Sequence, residues 1–171
     1  MRRQVDSQRL ERFLVALGGA SRHATTAYLV GGASAVVQGW RRSTRDVDLF
    51  LEDEDLMRAI PALKEELATS VELASPLDFV PELPGWRDRS PYVRTDGHLT
   101  VRNFDFYSQA LSKLERGFDQ DVADVRAMVD RGLVDPGRLL ELFDGVSDQL
   151  YRFPSINAAG LRRVVEALAS S

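Results

Sequence analysis

The 171-residue chain contains no cysteine. That absence excludes a disulfide framework, a thiolate zinc centre and a cysteine nucleophile, and it suits a reducing, cytoplasmic setting. Histidine is nearly as scarce, with His23 and His98 the only two. A histidine-centred metal site is therefore not expected, and His98, beside the turn residues Asp96-Gly97, reads as a surface residue. No apolar run approaches the roughly 20 residues of a membrane span, so no membrane partner is expected. The start, MRRQVDSQRLERF, is charged and lacks an apolar signal core, which argues against secretion. A basic excess is missing too. Net charge is −4, which excludes a general nucleic-acid coating surface and confines any basic pocket to the neighbourhood of Arg41, Arg42 and Arg45. Repeats, low-complexity tracts and flexible linkers do not occur. A chain of this length buries roughly two-thirds of its unfolded surface without a staple, so a single domain is expected.

What is present centres on Tyr28 to Glu52, YLVGGASAVVQGWRRSTRDVDLFLE. A strand over Thr25 to Val30 stops at Gly31-Gly32, where backbone can approach a ligand closely. A short helix over Ser34 to Gln38 follows, and its first amides face that turn, an arrangement that favours phosphate. The glycine spacing matches neither a P-loop nor a dinucleotide fingerprint. A basic turn, Trp40 to Arg45, then leads into Asp46-Val47-Asp48 and the apolar run Leu49-Phe50-Leu51. Strand side chains alternate between faces, so Asp46 and Asp48 share one and Val47, Leu49 and Leu51 the other. Two adjacent carboxylates on a half-buried strand are costly unless a cation lies between them, and Mg²⁺ (or Mn²⁺), which takes oxygen ligands and substrate phosphates, meets that need. The plainer reading is a helix cap at Asp46 with a solvent-facing Asp48.

The flanks supply a frame. Val5 to Leu17 is spaced as an amphipathic helix, with Gly18-Gly19 as its end. Glu52 begins a helix that runs to about Ala68, its acidic first turn favoured by the macrodipole. Ser70 to Ala74 reads as a third strand, with Glu72 on its polar face. Asp78 follows beyond Pro76, in a Pro- and Gly-rich loop. Tyr92 to Arg94 and Leu99 to Val101 read as a hairpin. Beyond Asp105 the pattern is helical: Phe106 to Arg116, Gln120 to Arg131, Arg138 to Phe143 after Pro136, and Ala158 to Leu168. The expected fold is α+β, a small mixed twisted sheet flanked by helices. Residues 1–104 would form its core, and 105–171 a helical part closing one side of the cleft.

These residues suit metal-dependent phosphoryl or nucleotidyl transfer. That chemistry needs converging carboxylates, donors for the phosphates and a nearby cationic side chain. The candidates are Asp46 and Asp48, a third carboxylate from Asp78 or Glu72, the Gly31-Gly32 amides with the Ser34 hydroxyl, and Lys113. Lys113, with Arg116, Asp121 and Asp124 close in sequence, also fits ordinary salt pairing on a helix surface.

Gly31-Gly32-Ala33-Ser34, followed by Arg42-x-x-Arg45-Asp46-Val47-Asp48-Leu49, resembles the signature of the nucleotidyltransferase superfamily, DNA polymerase β-like, in its minimal bacterial form. The block Ser112-Lys113-Leu114 with Asp121-Val122-Ala123-Asp124-Val125 is similar to the AbiEii-type toxin nucleotidyltransferases. The chain departs from the commonest pattern in one place, since its hydroxyl residue stands one position later than usual, at Ser34. The resemblance spans roughly residues 25 to 130. It implies a Mg²⁺-dependent enzyme that moves a nucleoside monophosphate from an NTP to a hydroxyl of RNA (tRNA among the candidates) or protein, in a toxin–antitoxin setting with an antitoxin partner. In that reading Asp46, Asp48 and Asp78 or Glu72 ligate the metal. Gly31, Gly32, Ser34, Arg45 and Lys113 hold the nucleotide, and Asp121 joins Lys113 in the site. A degenerate, non-catalytic nucleotide-binding or protein-interaction module of the same fold is the alternative.

Overall fold

A computed structural model describes residues 3–171. Of the N-terminal stretch read for a signal core, Met1 and Arg2 lie outside the described residues. In chain order the elements are β1 (Val5–Asp6), α1 (Ser7–Ala20), β2 (Thr25–Val30), α2 (Gly31–Gln38), β3 (Ser43–Thr44), β4 (Val47–Leu51), α3 (Glu54–Glu66) and β5 (Val71–Leu73). A 3₁₀ turn (Pro76–Asp78), α4 (Trp86–Arg89), β6 (Tyr92–Asp96), β7 (Leu99–Asn103), α5 (Phe106–Arg116), α6 (Asp119–Asp130), α7 (Pro136–Val146) and α8 (Ala158–Ala169) follow. The protein is α+β, with a mixed sheet flanked by helices. Among the described residues no helix is long and apolar enough to cross a membrane. Two compact units divide the chain: one runs to Ser75 and includes Ser90–Phe104, the other comprises Pro76–Arg89 and Asp105–Ser171. Pro76–Arg89, read from the sequence as part of the 1–104 core, thus groups with the helical unit.

The first unit is built on a five-stranded sheet of order β5-β4-β2-β7-β6. β2 runs antiparallel to β4 and parallel to β7, while β5 runs parallel to β4. A separate two-stranded ribbon pairs β1 with β3, Val5 opposite Thr44. The alternation expected for β4 is observed: Val47, Leu49 and Leu51 are buried and Asp48 and Phe50 are not fully so. One sheet face, with Leu29, Leu49, Leu99 and Val101, packs on Leu10, Phe13, Leu14 and Leu17 of α1 and on Leu56, Ile60 and Leu63 of α3. Each fully buried leucine of this kind contributes about 1.5–3 kcal/mol.

Local sequence sets the helix ends, with several departures from expectation: Val5, read as the start of the first helix, lies in β1, and α3 begins at Glu54 rather than Glu52. Asp6 caps α1 by accepting from the Arg9 amide at 2.9 Å. Gly18-Gly19 does not end α1, which continues to Ala20. The reason is tertiary: a Cβ at Gly18 would lie 2.5 Å from the Cβ of Asp96, so this glycine permits close packing on β6. Likewise α2 begins at Gly31 rather than Ser34. At the far end of α3 the Arg9 guanidinium donates to the Leu67 and Ala68 carbonyls at 3.0 and 2.9 Å, which satisfies groups a helix end leaves open.

In the second unit, Asp105 ties Pro76–Arg89 to the later helices. It is fully buried, and it caps α5 through the Tyr107 and Ser108 amides. Both its oxygens also receive the Arg89 guanidinium, at 3.2 and 2.9 Å. A buried carboxylate needs such a partner, and the planar fork of arginine matches it at two points.

Candidate functional site

The site is assembled by strand register. β2 and β4 pair with Val30 opposite Asp48, so the glycines that follow Val30 emerge beside the carboxylate. Gly31 adopts φ +57°, and a Cβ there would stand 3.1 Å from Asp48 Oδ2. Glycine is favoured on both counts: the left-handed backbone is costly with a side chain, and a Cβ would press on the carboxylate. At Gly32 a Cβ would overlap the Thr44 side chain and lie 3.3 Å from Arg41 Nη1. The buried Thr44 hydroxyl donates to the Asp46 carbonyl at 3.2 Å, which fixes the turn that delivers Asp46. Thr44 was not singled out from the sequence, and Arg41 only as one of three arginines of a basic pocket. Their spacing before Asp46 carries no distinctive pattern, and only the fold shows what they touch.

The third carboxylate also comes from register. β4 and β5 run parallel with Asp48 beside Glu72, and parallel neighbours point to the same face. Oxygens of Asp46, Asp48 and Glu72 lie within 4.8 Å of one another. Asp46 and Asp48 are half-buried and Glu72 is exposed. Ligands of a single cation are separated by at most two bond lengths, about 4.2 Å for Mg²⁺ and about 5 Å for the longest Ca²⁺ bonds. The 4.8 Å bound falls within the Ca²⁺ span and about 0.6 Å outside that of Mg²⁺. A small inward turn of the exposed Glu72 side chain would close the set on the smaller ion. All oxygen and all anionic, the set is of the chemistry a hard divalent cation takes. Asp78, the other candidate, is exposed at the end of the 3₁₀ turn and belongs to the second unit. Beneath the row, on the same face of β2 and β4, Tyr28 and Phe50 stack with Phe104, ring centroids 5.8–6.0 Å apart.

The remaining candidates stand as follows. Ser34 is fully buried, and its hydroxyl donates to the Leu29 carbonyl at 2.9 Å. That bond ties α2 back to the strand before it. Arg45 is exposed in the turn before β4. Lys113 and Asp121 are brought together in the second unit, and Asp124 joins them. The Lys113 ammonium is largely buried, 2.8 Å from Asp124 and 3.9 Å from Asp121. Arg116 engages both oxygens of Asp121, the Phe118 amide adds a third donor, and Gln120 reaches the other oxygen of Asp124. Burial pushes the Asp121 carboxyl upward, but Arg116, Lys113 and the Phe118 amide outweigh it and hold it below the ordinary value of 3.8. The network is thus charge-matched within its own unit.

Residues 8–160 match the sequence model of a family described as a nucleotidyltransferase of unknown function (DUF6036). No curated protein matches. Among solved structures, an antigenic nucleotidyltransferase-like protein from Paracoccidioides brasiliensis is similar, with 15% identity, a TM-score of 0.48, and coverage of 94% of this chain and 95% of that one.

Proposed function

We propose, from the premise that this chain belongs to the nucleotidyltransferase family matched over residues 8–160, that it transfers a nucleoside monophosphate from an NTP to a hydroxyl, using a divalent cation held by Asp46, Asp48 and Glu72. The convergence of those three carboxylates beside Gly31 carries the reading. A bound cation would supply charge neutralisation at the phosphates. The chain's own residues do the rest. The amides at the start of α2 orient phosphate oxygens, and the glycines let backbone approach them without a side chain between. Arg41, whose guanidinium lies beside Gly32, adds positive charge where pyrophosphate would gather. Arg45, exposed next to Asp46, orients phosphate or acceptor. The experiment is incubation with α-labelled NTPs and Mg²⁺ or Mn²⁺. The expected result is label transfer by the wild type and its loss in Asp48→Ala; equal transfer by both overturns the reading.

The buried Ser34 hydroxyl favours a second reading, a nucleotide-binding module without turnover, because it offers no side-chain hydroxyl at the turn. Calorimetry that shows NTP binding with no label transfer would select it. A toxin role follows from the AbiEii-type resemblance; growth arrest on expression, relieved by Asp48→Ala, is its expected sign.

A further inference from the structure

The sheet ends on β5, an edge strand that stands next to the carboxylate row. The Val47 amide donates to the Ser70 carbonyl at 2.8 Å, and the Ala74 amide to the Leu49 carbonyl at 3.0 Å. Backbone groups alternate sides along a strand, so Ser70, Glu72 and Ala74 face β4. Val71 and Leu73 therefore direct their N–H and C=O groups to the open edge. Leu73 is 50% exposed, which is unusual for the core side of a sheet. Beside it an open groove of about 850 Å³ runs along α3, lined by Met57, Ile60, Val71 and Leu73. Lys64 and Glu65 stand on its rim.

We propose that this edge is the acceptor site, and that the acceptor is an extended polypeptide segment that adds as a strand to β5 with a serine, threonine or tyrosine opposite Glu72. This inference rests on the nucleotidyl-transfer reading and names its substrate. The register argument is direct. A residue opposite Glu72 in an antiparallel addition sits in a non-hydrogen-bonded pair, with Cα atoms about 4.5 Å apart and its side chain on the face that carries Asp48 and Glu72. A hydroxyl there extends the row Asp48–Glu72 by one strand. The residues on either side of it point to the other face, over the groove beside Ile60, Val71 and Leu73, and should be apolar. On the rim Lys64 and Glu65 offset one another, so the groove carries no basic surface to hold a phosphodiester backbone. The groove lining includes no aromatic ring on which a nucleotide base could stack. In the reaction the acceptor hydroxyl oxygen bonds to the α-phosphorus of the NTP. The bond from that phosphorus to the α–β bridging oxygen breaks, pyrophosphate leaves with the electron pair, and the hydroxyl proton passes to water.

The test supplies the full chain with α-labelled NTPs and Mn²⁺ in two parallel reactions. One contains short synthetic peptides with a central serine, threonine or tyrosine and varied neighbours; the other contains total cellular RNA. Label should appear on peptides whose central hydroxyl residue lies between apolar residues. Leu73→Lys should lower that labelling at least about tenfold, a loss of about 1.4 kcal/mol, while Mn²⁺-dependent NTP binding stays unchanged. Leu73→Pro, which removes one outward N–H, should act alike. Label on RNA alone overturns the proposal, as does peptide labelling indifferent to Leu73 or to the neighbouring residues. NTP binding without transfer to any peptide also overturns it and leaves the nucleotide site standing; absence of NTP binding removes both.

Discussion

Gly31 and Ser34 occupy one turn of backbone and do different work. Gly31 holds φ at +57°, and a Cβ there would stand only 3.1 Å from Asp48 Oδ2. Alanine there should cost about 1–2 kcal/mol from the left-handed backbone alone, and it should weaken Mn²⁺ binding by crowding the carboxylate. Urea denaturation and metal titration of Gly31→Ala would check the two effects separately. Ser34, by contrast, donates to the Leu29 carbonyl from a fully buried position. Ser34→Ala should lower stability by about 1 kcal/mol and leave NTP affinity unchanged. A marked fall in affinity would return that hydroxyl to the phosphate site.

Elements α5 and α6 are joined by the Lys113, Arg116, Asp121 and Asp124 network. Removing one partner of a buried pair leaves an uncompensated charge, so Lys113→Met should destabilise by about 3–5 kcal/mol. Adding Asp124→Leu should recover much of that loss, because the charge left unpaired is then gone. Asp121 sets a pH dependence. Its carboxyl is held below 3.8 in the folded state by Arg116, Lys113 and the Phe118 amide, against the upward push of burial. Its contribution to stability is present above the unfolded value and is lost as pH falls through the lower folded one. Urea midpoints measured from pH 6 downward should therefore drop below about pH 4, with a shallower acid limb in Asp121→Asn. The helices themselves were legible from apolar spacing, as α5 shows by spanning Phe106–Arg116 as expected. The end of α1 was not, because Gly18 answers to Asp96, far along the chain.

For the molecule as a whole, a cation that binds only the folded state raises stability, by about 2.7 kcal/mol at a hundred times its Kd. Mn²⁺ should therefore raise the thermal midpoint of the wild type and of Asp78→Ala, but not of Asp48→Ala or Glu72→Ala. An Asp78→Ala variant that loses the shift would restore Asp78 as the third ligand. Sequence by itself determined the α+β class, the two glycines, and the placing of Asp46 and Asp48 on one strand face, because period-two alternation and turn chemistry are local. Tertiary structure alone decided which distant groups meet them. Glu72 stands beside Asp48 through parallel pairing of β4 with β5, Thr44 and Arg41 close on Gly32, and Ser34 turns inward to Leu29. Those contacts depend on strand order and register, which are fixed by burying one whole sheet face at once and leave no mark at any single position.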